Sequence, residues 1–158
     1  MTLPSPPIPE TPERRAEITR AITAATGLTE AVLERLVRAF YNAARRDELL
    51  GPVFAHVTDW EGHIATISAF WSSVALMTGR YHGQPMAVHL PLELDPPHFA
   101  RWLELFEENA RSICSPKGAD HLIDRARRVA RSLELGAAVS RGELPKRRSE
   151  LDQTEPLK

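Results

Sequence analysis

A chain of 158 residues is long enough for one domain with a single hydrophobic core. With 42% apolar and 26% charged residues and a formal net charge of -1, it has the composition of a globular protein in water, not of a disordered, collagenous or membrane chain, and it lacks the cation surplus that nucleic-acid phosphates demand. Its one cysteine, Cys114, excludes an intramolecular disulfide framework and leaves no CxxC or Cys/His zinc spacing. The first ten residues have no basic start followed by an apolar run, and no apolar run approaches a bilayer span, so the expected setting is the reducing cytoplasm.

Five of the 13 prolines fall within the first 12 residues, and residues 1–12 are expected to be a disordered proline-rich tail. The folded body is expected over 13–140. Residues 141–158, with Lys146, Arg147 and Arg148 and few large apolar side chains, are expected to be a disordered basic tail. Within the body, apolar residues recur every three or four positions, which predicts an all-α fold. Thr11 and Pro12 read as the cap and first-turn proline of a short helix ending before Gly27. A second helix, about 29 to 46, takes Thr29 as its cap and carries Leu33, Leu36, Val37, Phe40 and Tyr41 on one face. After the Gly51-Pro52 break, Thr58 to Glu61 fits a capping box, opening a helix with Trp60, His63, Ile64, Ile67, Phe70 and Trp71 on one side and its stop at Gly79. Pro85 and Pro91 leave room between them only for a very short helix through His89. Asp95-Pro96 caps a long helix bearing Phe99, Trp102 and Phe106, and Ser115-Pro116 caps the last, which should end near Gly136.

Among the residues that could carry chemistry, His56, His82 and His121 sit in loops or at helix starts and read as solvated. His63 lies one helical turn from Trp60 and from Ile67 on an apolar face, where a neutral imidazole needs a partner. His89 lies on a short segment held between prolines. Taken singly, each is more often a satisfied core histidine than a ligand. The aromatic positions likewise read first as core, but Tyr41 and Trp102 carry buried donors on two different helices, with no buried carboxylate to receive them. Hydrolytic motifs such as GxSxG and HExxH are missing, the acidic Glu104, Glu107 and Glu108 read as a solvated face, and Cys114 reads as a packing residue.

Several segments in order carry a family pattern: Phe40-Tyr41, Leu50-Gly51-Pro52-Val53-Phe54, Trp60-Glu61-Gly62-His63, Phe70-Trp71, Tyr81-His82-Gly83-Gln84-Pro85 through His89, and His98 to Phe106. With them the chain resembles the truncated haemoglobins over about residues 30 to 135, and the absence of a Gly-Gly pair agrees with the third group of that family. The resemblance implies a two-over-two helical sandwich holding a b-type haem, with His89 as the proximal iron ligand. It implies Tyr41, Trp102 and His63 as distal residues and Phe40, Phe54 and Ile67 as pocket lining. An O-H and an N-H donor would then face a diatomic ligand whose outer atom carries negative charge. The implied function is reversible binding of O2, NO or CO, with NO-dioxygenase or peroxidase-like turnover open if a reductase or other electron donor serves it. Neither nucleic acid nor a membrane is an expected partner. The competing reading is a haem-free helical sensor or interaction module in which the same residues form only a core. Tyr41, Trp102 and His89 together speak against it, since a plain core requires neither two buried donors nor a histidine.

Overall fold

A computed structural model describes residues 11–89 and 92–143, with only the backbone at Met86 and Ala87. Most of the two expected tails therefore lies outside the described residues. Among those described, regular structure is helical: α1 (Pro12–Thr26), α2 (Glu30–Arg46), a single 3-10 turn (Gly51–Phe54), α3 (Trp60–Leu76), α4 (Pro85–His89), α5 (Pro96–Ile113) and α6 (Pro116–Ser140). No described helix is long and apolar enough to cross a membrane.

Local chemistry sets most of the boundaries. Thr11, Thr29 and Ser115 each accept a backbone N–H from the first turn of the helix that follows, those of Arg14, Val32 and Gly118, which satisfies one of the donors every helix start leaves free. Three boundaries differ from the sequence expectation. The cap of α3 is Asp59, which accepts the Gly62 N–H at 3.0 Å, and not Thr58. The Glu61 carboxylate that a Thr58 capping box would need is instead held by Arg38 of α2, with both oxygens within 2.9 Å of the guanidinium. The same helix ends at Leu76, with Met77 at φ 61°, before Gly79 is reached. There the Ser72 and Thr78 hydroxyls bond at 2.6 Å and Thr19 of α1 donates to the Leu76 carbonyl at 2.6 Å, so tertiary bonds close the helix early. At the other end α6 passes through Gly136 to Ser140. A helical glycine costs only about 1 kcal/mol, and the flanking Ala137 and Ala138 favour continuation.

In the packing, α2 lies against α3 and α5, and α5 lies against α6, while α1 closes on α3 and α6. The core is aromatic at its centre. Trp71 of α3 stacks on Phe106 of α5 with centroids 4.8 Å apart, Trp102 stacks on Phe106 at 5.4 Å, and Phe40 of α2 meets Trp102 edge to face at 5.8 Å. Leu33, Leu36, Ala44, Leu122 and Ala126 fill the flanks and are fully buried or nearly so. Gly118 is there for space: a Cβ at that position would stand 2.8 Å from the Thr26 carbonyl oxygen, so only glycine lets α6 start this close to the end of α1.

Candidate functional site

The described helices line an apolar cavity beside the aromatic core, with about 1200 Å³ of atom-free space counted to its open mouth. Every site residue expected from the sequence lines it: Phe40 and Tyr41 from α2, Phe54 from the 3-10 turn, His63 and Ile67 from α3, His89 from α4 and Trp102 from α5. Each element contributes for a local reason. Phe40 and Tyr41 are consecutive on the buried face of α2 and both reach the cavity, their rings edge to face at 5.0 Å. The start of α3, fixed by the Asp59 cap, puts Trp60 and His63 one turn apart, and their rings meet at 5.5 Å.

His89 and His98 are distinguished by their hydrogen bonds. Nδ1 of His89 lies 2.6 Å from the Pro85 carbonyl oxygen. A carbonyl only accepts, so Nδ1 carries the proton and Nε2 keeps a free lone pair, the state a metal-ligating imidazole requires. His98, near the start of α5, also lines the cavity, but its Nδ1 accepts the Asp95 N–H at 3.0 Å. Its Nε2 must therefore carry the proton, and it serves α5 as part of the N-terminal cap. Among the described residues no group of three or more His, Cys, Asp or Glu side chains gathers as a metal cage. A lone imidazole with a free Nε2 matches an iron that brings its other ligands with it, as in a porphyrin.

The same lining holds polar groups from α2 and α3. Nε2 of His63 is buried and has no hydrogen-bond partner among the described residues, a state that costs about 1–3 kcal/mol. Burial holds the His63 imidazole below its ordinary pKa, with repulsion from His56 and His89 adding to it, so the ring is neutral. Burial alone pushes the Tyr41 phenol well above the usual tyrosine range, so it remains an O–H donor. Tyr41 packs edge to face on Phe54 at 5.2 Å and on His63 at 4.9 Å, and the aromatic box is closed on its outer side by Trp60, whose own outer face carries the Arg45 guanidinium at 4.2 Å. An apolar cavity whose lining holds the His89 imidazole with Nε2 free and a buried, unpartnered His63 nitrogen fits a flat apolar cofactor with a metal at its centre.

Four residues stand apart from the cavity. His121, read as solvated, instead lies with Nε2 2.9 Å from the Ala75 carbonyl oxygen and ties the start of α6 to α3. His56 and His82 are exposed, and half-buried Cys114 lies off the cavity with its thiol pushed up by burial. Sequence reasoning missed Tyr81 and Leu50 as cavity lining. The signal was present for Leu50, an apolar residue directly before the Gly-Pro break, and absent for Tyr81, which a turn-rich segment carries to the wall.

A helical sandwich built round an apolar cavity, with an imidazole on a short helix whose Nε2 is free to bind metal, is the architecture of a globin. Residues 22–134 match the model of the bacterial-like globin family. A relative named group 3 truncated hemoglobin, from Campylobacter jejuni, is 34% identical over 104 residues, which cover 62% of this chain and 82% of the relative. The crystal structure of the group III truncated hemoglobin from Campylobacter jejuni aligns with a TM-score of 0.63 at 32% identity, over 68% of this chain and 89% of that one. The chain belongs to the bacterial-like globin family and is a truncated haemoglobin of group III, with the two-over-two helical fold; the family implies haem binding in general.

Proposed function

We propose that the protein binds one b-type haem noncovalently through Nε2 of His89 and reversibly holds O2, NO or CO on the side walled by Tyr41, Trp102 and His63. When bound, the haem supplies the iron at which a diatomic ligand sits. The observation that carries this reading is the contrast between two of the three cavity histidines: the His89 bond to Pro85 leaves Nε2 free, and the Asp95 bond to His98 does not. The chain's own part is then to exclude water with Phe40, Phe54 and Ile67, and to offer the Tyr41 O–H and the Trp102 N–H to a ligand atom bearing negative charge. Carbon monoxide carries little such charge and draws little on either donor. Cytoplasmic location and turnover of NO or peroxide with an external reductase belong to the same proposal.

The test is the visible absorption spectrum of the purified protein with haem supplied. His89→Ala is expected to abolish or severely weaken haem binding, while His98→Ala retains the spectrum. An unchanged His89→Ala spectrum beside an altered His98→Ala spectrum reverses the assignment. A wild-type chain that takes up no haem favours the haem-free sensor or interaction module.

A further inference from the structure

The connection between α2 and α3 supplies three cavity-lining residues, Leu50, Val53 and Phe54, yet it contains only one short 3-10 turn to hold its shape. What fixes it is a carboxylate at the end of α2. Asp47 Oδ2 accepts the N–H groups of Leu49 and Leu50 at 3.1 and 3.0 Å, and Oδ1 accepts Nε–H of Arg101, from α5, at 2.7 Å. The Asp47 side chain is only 10% exposed. Gly51 follows with its backbone so close to the Arg45 carbonyl that a Cβ would stand 2.9 Å from it, which leaves the turn no slack on that side. The turn in its place sets the Phe54 ring edge-on to Tyr41 at 5.2 Å.

An ion pair whose Arg101 side chain is 36% exposed adds little net stability, because solvent screens most of its attraction. The backbone bonds of Asp47 run instead to one place, the loop that backs Tyr41. We propose that Arg101 and Asp47 are positioning residues for the ligand-binding side of the cavity: by locking the turn that carries Phe54, they hold the Tyr41 hydroxyl where it donates to the diatomic ligand. The proposal rests on the reading of Tyr41 as a ligand donor. It adds that a guanidinium touching neither cofactor nor ligand governs how well that donor is aimed. Arg101 also bonds Glu104 at 3.1 Å along α5, a pair on the solvent side that has no contact with the loop.

The variants are Arg101→Met, which keeps the stem and removes the donors, and Asp47→Asn, which keeps the shape and removes the charge. In the haem-free protein, both are expected to speed amide hydrogen exchange at Leu49 and Leu50. In the haem-loaded protein both are expected to raise the C–O stretching frequency of the carbon monoxide complex in the same direction as Tyr41→Phe, and to speed O2 release by about three- to tenfold, the size of a coupling between neighbouring residues. In a Tyr41→Phe background the effect of Arg101→Met on O2 release should vanish. An effect that survives in Tyr41→Phe but vanishes in Trp102→Phe means Arg101 acts through its chain neighbour, and the proposal fails. A responsive Tyr41→Phe beside silent Arg101→Met and Asp47→Asn overturns this inference alone. A silent Tyr41→Phe overturns the donor reading and the route through it. Should Arg101→Met not fold, Asp47→Asn decides by the same measurements.

Discussion

The rings of Tyr41 and His63 meet edge to face with centroids 4.9 Å apart and planes 82° apart. A phenol held protonated and an imidazole held neutral therefore share one wall, and neither depends on the other for its protonation state. They can be tested separately.

Removing the phenol or the indole donor should weaken ligand retention selectively. A hydrogen bond to a charged acceptor contributes about 1.5–3 kcal/mol, so Tyr41→Phe and Trp102→Phe are each expected to speed O2 dissociation by roughly ten- to a hundredfold. Carbon monoxide release should change far less. Stopped-flow dissociation of both gases reads the difference, and equal acceleration of both would mean a loosened cavity instead of a lost donor.

His63 should show itself through acid. Its folded-state pKa lies below the ordinary 6.5, so between those two values the unfolded chain binds a proton that the folded chain refuses. Stability is therefore lost as pH falls below about 6.5 and the loss stops growing below the folded value. His63→Leu removes this part of the acid sensitivity together with an unpartnered buried nitrogen. Urea midpoints at pH 7.5 and 5.5 are expected to converge in the variant relative to the wild type. The same variant should alter ligand entry more than release, since the ring stands beside the cavity without a bond to hold it there.

Gly118→Ala tests the packing of α6 on α1. The added methyl meets the Thr26 carbonyl at 2.8 Å, a backbone atom that cannot swing aside, and overpacking of this kind costs about 1–3 kcal/mol. A lowered melting temperature with an unchanged haem spectrum is the expected result.

A chain cut to residues 11–143 keeps the Thr11 cap and the bond from Arg141 to the Leu94 carbonyl, 3.1 Å long, beside the cavity. It should match the full chain in haem spectrum and melting temperature. Cutting at 140 instead removes Arg141 and is expected to weaken haem retention, measured as transfer to a haem acceptor protein.

Much of the helical frame was legible because it is written in short-range chemistry. Pro85 and Pro91 bracket α4, and Asp95 with Pro96 and Ser115 with Pro116 mark where α5 and α6 begin. The cavity residues were legible through the ordered resemblance, not through periodicity, which reads Phe40, His63 and Trp102 alike as core. What stayed hidden depends on partners far along the chain. Glu61 suits a capping box until Arg38 from α2 takes it. His121 reads as solvated until the Ala75 carbonyl of α3 arrives beside it. Nothing near His89 or His98 in sequence says which ring nitrogen each leaves free, because that follows from which backbone group each meets.

The chain has three tryptophans, and the fold gathers them round one place: Trp71 and Trp102 line the cavity and lie near parallel 6.5 Å apart, while Trp60 closes the aromatic box outside Tyr41. No indole is left elsewhere in the molecule to glow independently. Ultraviolet-excited emission is thus a signal from the cavity lining and the ring packed behind Tyr41, and a pigment that absorbs at the emitted wavelength and settles in the cavity should darken nearly all of it. Counting equivalents to full darkness would give the stoichiometry of loading without recourse to any visible band.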